Sequence, residues 1–191
     1  MKQIAIIFLL IVIFIGCGEE RISEERVNNR AKINSLLLLT EEELLDAVNR
    51  VRNRGHICCI DEGVVGPSPA LKWNQFLTFS AKEHSRDMAF SNTFSHNGSG
   101  TSYDITGSLE GEKSLFSERI HRHLEIESIP TGENIAVGIV NIDEVLDAWL
   151  KSPKHCANIM SKEFTDMGMA VVTNEDSSYG IYWTQDFARI D

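Results

Sequence analysis

The sequence predicts an α+β domain over residues 39–191, and three observations carry that reading. Residues 40–54 and 74–90 repeat apolar side chains at helical spacing. A third apolar stripe, Val145, Leu146, Trp149 and Leu150, follows at 141–151. The C-terminal end changes character: Met167–Thr173 and Tyr179–Phe187 are β-branched and aromatic, split by the turn residues Asn174–Ser178. Helices first and paired strands last give a layered α+β domain.

Taken in order, Thr40 with Glu43 three residues on is a capping box. Leu44, Leu45, Val48 and Val51 then face inward until Gly55 stops the helix. Residues 55–69, with Cys58, Cys59, Gly63, Gly66 and Pro67, read as a loop. The second helix carries Leu77, Ala81, His84 and Met88 on one stripe, and a turn follows through Phe94-Ser95-His96-Asn97-Gly98. Between 101 and 130 only Ser117–Leu124 suggests a short helix. Ser152-Pro153 reads as the cap and first position of a further short helix ending at Met160.

Ahead of the domain, Ile4–Ile15 form an apolar run after Lys2, followed by Gly16-Cys17-Gly18 and then Glu19, Glu20 and Arg21. The run is shorter than the roughly 20 residues of a spanning helix and matches a secretory leader. A small residue before cysteine resembles a bacterial lipobox, so residues 1–16 are expected to be a signal peptide and Cys17 the lipidated residue. An ordinary cleavable signal and an uncleaved anchor are the alternatives. Residues 17–38 are expected to act as a lipid-anchored tether, because 18–33 offer few apolar groups to bury. Gly18 is not an acidic retention signal, so an outer-membrane or cell-surface location is expected after export.

The formal net charge of −10, or −11 once Lys2 leaves with the leader, excludes a basic stripe able to displace counterions from nucleic acid. Hydrophobic content of 42% and charged content of 24% are those of an ordinary globular domain.

Six segments occur together in one order: Leu71-Lys72-Trp73-Asn74, His84-Ser85-Arg86-Asp87-Met88-Ala89, Phe94-Ser95-His96, Gly132-Glu133-Asn134-Ile135-Ala136, Trp149–Met160, and Tyr182-Trp183-Thr184-Gln185. The set resembles the CAP superfamily (cysteine-rich secretory proteins, antigen 5 and pathogenesis-related 1) in its bacterial SCP-like branch. The resemblance covers residues 39–189. It implies an α–β–α sandwich with a small antiparallel sheet between helical layers.

It also implies a cleft lined by two histidines and a glutamate, which fall on His96, His155 and Glu133. The further glutamate of eukaryotic members, just after the helix tryptophan, has no counterpart; Ser152 is the nearest position. Two imidazoles and a carboxylate offer three ligands to Zn²⁺ or a similar divalent cation, with a fourth position open to water. Without metal, the same groups can hydrogen-bond a polar ligand head. A purely structural Glu133, bonded to loop donors, is the alternative. His96, Glu133 and His155 are thus the candidates for catalytic, ligand-binding and metal roles alike.

Other polar residues read more simply. His84 lies on an apolar stripe, as a core histidine would. His121 and His123 flank Arg122, whose charge disfavours a cation between them. Asn134 is suited to turning the chain. Ser85 stands beside His84 and Asp87, but helical neighbours point in different directions, so no serine triad results.

The resemblance further implies a disulfide from Cys156 to Cys58 or Cys59, permitted outside the cell. Adjacent Cys58 and Cys59 make a poor pair with each other, their Cα atoms being only about 3.8 Å apart. Two functions follow as expectations: a membrane-anchored module binding a small amphipathic molecule, a peptide or a partner protein, and a metal-dependent hydrolase of extracellular or envelope substrates. Carriage of a lipid between helices is a weaker third.

Overall fold

A computed structural model describes residues 28, 30–59 and 63–190. The leader, Cys17 and the first part of the tether lie outside those residues. Residues 30–36, expected as the end of an irregular tether, are helical, and Leu36 is buried against the domain.

Helix α1 (Glu41–Arg54) starts at the expected capping box: Glu43 N donates to Thr40 Oγ1 at 3.2 Å, and Thr40 N to Glu43 Oε2 at 2.8 Å. Its buried Arg52 donates to the carbonyls of Pro69, Ile159 and Ser161, so a guanidinium fully inside the protein is satisfied by backbone alone. Strands β1 (His56–Cys59) and β2 (Gly63–Val65) pair as a hairpin where the sequence suggested only a loop.

Helix α2 (Gln75–Ser91) is capped by Asn74 and ends at Asn92 in the left-handed conformation. Its stripe of Leu77, Ala81, His84 and Met88 is buried throughout, as the periodicity required. Helices α3 (Ile105–Glu110) and α4 (Phe116–Leu124) occupy the segment the sequence left largely unread. That segment is organised by one buried carboxylate, Asp104, which accepts from the amides of Gly100, Gly107 and Ser114 and from the Ser114 hydroxyl. Asn141 caps α5 (Ile142–Leu150), and Pro153 opens α6 (Pro153–Met160) as expected.

The main sheet runs β3 (Lys72–Trp73), β5 (Asp166–Thr173), β6 (Ile181–Ala188) and β4 (Thr131–Val137). Its pairs are antiparallel except β3 with β5, which is parallel, so the expected antiparallel sheet carries one short parallel edge. Gly180, at φ 72°, shapes the β5–β6 connection, which covers 174–180 rather than stopping at Ser178.

Alternation along the strands assigns the two faces. Trp183, Phe187, Met167 and Met169 pack with α1, α5 and α6, around the fully buried Trp149. Tyr182 and Ile135 meet Met88 of α2, while Ala188 meets Leu77 and Ile120 of α4. The domain is therefore an α–β–α sandwich. Gly168 fixes how near α2 sits, since a Cβ there would come within 2.2 Å of Thr78 N.

Disulfide Cys58–Cys156 joins the hairpin to α6, with Cα atoms 5.3 Å apart. Of the two cysteines the sequence offered, Cys58 is the partner.

Candidate functional site

The site forms where the two helical layers meet over the edge strand β4. Because successive strand residues point to opposite faces, Glu133 projects toward α2 and Asn134 toward α6. His96 arrives from the loop after α2, and His155 from the first turn of α6. Their ring centroids stand 6.2 Å apart. The sequence separated these side chains widely; the fold gathers all three.

Glu133 is 4% exposed and both its oxygens are engaged. His96 Nδ1 lies 2.7 Å from Oε1, and Arg119 Nη2 donates to Oε2 at 2.7 Å. Burial pushes the carboxyl upward, but the His96 hydrogen bond and the Arg119 guanidinium together hold it below the usual glutamate range. It is a carboxylate, so His96 donates from Nδ1. That leaves His96 Nε2 as the ring nitrogen turned away from Glu133, on a side chain 46% exposed.

A second layer supports this pair. Arg119 also donates to the His96 carbonyl and to Ser114 Oγ, each at 2.9 Å, and so ties α4 to the His96 loop. His84 is a core histidine, as its stripe suggested, yet its Nε2 bonds the Ser95 carbonyl at 2.8 Å and lies 3.9 Å from Glu133 Oε1. Burial holds its pKa at about 4, so the ring is neutral. His155 is half-buried; burial first and the neighbouring His96 second lower its pKa. The His155 ring is thus suited to accept a hydrogen bond near neutral pH.

Asn134 does not turn the chain. It sits within β4, donates to the His155 carbonyl at 3.3 Å and to Gln185 Oε1 at 3.2 Å, and accepts from Asn158 Nδ2 at 3.0 Å. Asn158 also donates to the Glu133 carbonyl at 3.0 Å. These bonds clamp α6, and His155 with it, against the strand.

The cleft has a volume of about 570 Å³ and is walled by Leu115 and Phe116 on one side and Lys154 on the other, with Thr131 and Gly132 at its floor. Leu115 is 47% exposed, giving the cleft an apolar lip. Its chemistry is mixed: two imidazoles, one ammonium, the polar residues Asn97, Ser117 and Asn158, and an apolar wall.

Among the described residues, no group of three or more His, Cys, Asp or Glu side chains is placed to hold a metal ion. To serve as the expected third ligand, Glu133 would have to leave the partners it has. The carboxylate stands behind His96 and neutralises Arg119, and a metal there would have to displace that buried pair.

Two residues of the site escaped the sequence reading. Arg119 is the counter-ion of Glu133, and its only signal was a place beside Ile120 on the inward face of a short helix. Asp186 lies opposite Glu133 on β6, fully buried, with the Ser80 hydroxyl as its hydrogen-bonding neighbour. Burial, and then the charge of Glu133, raise its pKa well above the usual aspartate value, which favours the neutral acid. Its signal was an acidic residue at an inward position of an alternating strand. The remaining candidates are structural: His123 bonds Glu83 at 2.8 Å, His121 faces the Ile129 carbonyl, and Ser85 donates to Thr184.

Set beside known proteins, residues 45–187 match the sequence model of the CAP, or cysteine-rich secretory protein, family. Two Bacillus subtilis proteins, the uncharacterized YkwD and the uncharacterized membrane protein YlbC, are each 27% identical, over 85% and 78% of this chain. The chain spans 52% and 34% of their respective lengths. An extracellular SCP-domain protein of Bacillus anthracis has a similar structure, with TM-score 0.57 and 26% identity over 78% of this chain and 40% of that one. An outer surface protein of Borrelia burgdorferi shares the fold at TM-score 0.51 and 23% identity, over 65% of this chain and 81% of that one.

Proposed function

This chain belongs to the CAP (cysteine-rich secretory protein) family, and from that premise we propose that it is an exported, membrane-tethered binding module. Its ligand would be a small amphipathic molecule or a peptide end carrying a polar, hydrogen-bond-donating or anionic head. One observation carries the reading: Glu133 is wholly committed to His96 and Arg119, so the carboxylate orients an imidazole and takes no ligand itself. The cleft lining then includes the His96 and His155 rings, Lys154, Asn97 and Ser117, beside the apolar Leu115 and Phe116. Such a lining suits a head group held by polar contacts and a tail laid on hydrocarbon.

Export and anchoring rest on the leader and on Cys17. Extracellular placement of the Bacillus anthracis relative supports the first. Attachment through lipid on Cys17 is the means proposed, because Gly16-Cys17 follows an apolar run shorter than a spanning helix.

A hydrolase is the second reading, and the His96–Glu133 pair at 2.7 Å is what favours it, because a carboxylate-oriented imidazole is the arrangement of a general base. The two readings separate in one experiment on the full chain. A fluorescent single-chain amphiphile with a carboxylate head and a mixed peptide pool are presented to the unsubstituted protein, His96→Ala and Phe116→Ala. Binding lost in both variants without peptide cleavage supports the module. Cleavage lost in His96→Ala supports the hydrolase, and binding unchanged in both variants overturns the cleft.

A further inference from the structure

The outer face of α2 carries exposed aromatic and basic residues in a pattern that reads almost the same in both directions. Phe76, Phe79, Lys82, Arg86 and Phe90 all face solvent, the three phenylalanines being 55%, 46% and 46% exposed as residues. Helical spacing puts them on one ridge. Phe76 and Phe90 are equally distant from position 83, and Phe79 and Arg86 equally distant from the step between 82 and 83.

A two-fold interface brings the same patch of both subunits together, so it must be complementary to itself. We propose that this ridge is the contact between two copies of the chain, their α2 helices crossing antiparallel with the axis near Lys82. In that arrangement Phe76 of each copy meets Phe90 of the other. Arg86 meets the partner's Phe79.

Each contact has a physical basis. Arg86 already stands over its own Phe90 ring, 5.8 Å from the centroid. A second ring from the other copy would place the guanidinium between two aromatic faces. Tyr103 stacks on Phe90 with centroids 5.4 Å apart, which holds that ring in place and broadens the platform. The three phenylalanines together offer roughly 300 Å² of exposed ring surface. A stable pair buries about 800 Å² on each partner. The rings thus provide more than a third of the needed area from one helix, with the stems of Lys82 and Arg86 beside them. The unfavourable element is Lys82, which faces its own copy at the axis.

The test uses the full chain in detergent, followed by sedimentation across concentration. The expected result is a reversible dimer. Phe79→Lys, which sets a charge against the partner's Arg86, weakens it by about tenfold or more. Adding Arg86→Glu to Phe79→Lys restores association, and Lys82→Ala alone tightens it. In intact cells Lys82→Cys yields a disulfide-linked dimer above the level of the unsubstituted chain. Because all these positions are exposed, melting of the variants should match the parent. A chain that stays monomeric up to about 100 µM and gives no added cross-link at position 82 overturns the proposal. So does a dimer indifferent to Phe79→Lys.

Discussion

His96 and His155 come from opposite helical layers and meet over one strand, ring centroids 6.2 Å apart. Neither layer alone supplies both rings. The site depends on β4, whose alternation sends Glu133 to fix one histidine and Asn134 to fix the helix bearing the other. Changes to the clamp should therefore be felt in both stability and binding.

Arg119→Gln leaves Glu133 as a buried carboxylate without its counter-ion. Loss of one partner of a buried pair costs about 3–5 kcal/mol. Urea unfolding should show that loss, whereas a change under about 1 kcal/mol would mean that Glu133 finds another counter-charge.

Acid should weaken the fold through His84. Its folded pKa of about 4 lies below the unfolded value, so the neutral ring favours the native state and the unfolded chain binds the extra proton. That contribution is complete above about pH 6.5 and is lost as pH falls toward 4. The full span corresponds to about 3 kcal/mol. His84→Gln should show a flatter stability profile between pH 4 and 6.5. Its imidazole resonance in the native protein should stay neutral across most of that range.

Asp186 runs the other way. Its folded pKa is raised, so stability is fully present below the unfolded value near 3.9 and declines as pH rises toward the folded value. Asp186→Asn keeps the shape of the neutral acid and removes that decline. The variant should equal or exceed the parent at pH 7, with its advantage growing from pH 5 upward. An asparagine variant that is weaker at pH 8 would show that Asp186 is ionised and paired.

Breaking Cys58–Cys156 opens a link across 98 residues of sequence. On chain entropy this costs about 4–5 kcal/mol. Cys156→Ser should lower the unfolding midpoint accordingly, and peptide mapping should find Cys58, not Cys59, bonded to Cys156.

Several elements were legible because one local signal sufficed. Thr40 with Glu43 announced α1, Ser152-Pro153 announced α6, and the β-branched runs announced β5 and β6. Strand β4 was not legible, since Gly132, Glu133 and Asn134 near its start are residues poor in strand preference. Those residues are there for Arg119, His96 and α6, and only the assembled fold supplies these partners. The same reason hid Arg119 and Asp186: a buried charge looks like a surface one until its neighbours are known. His96, Glu133 and His155 were found through the resemblance, and the fold then separated two cleft-facing rings from a carboxylate held behind one of them.

The Cys58–Cys156 crosslink sits next in sequence to His155, on the helix that completes the cleft. Until those two thiols have been oxidised, nothing covalent secures that helix to the hairpin. Hydrogen bonds from Asn134 and Asn158 still hold that helix to β4, so an oxidising space adds a covalent brace to the wall of the cleft that carries His155.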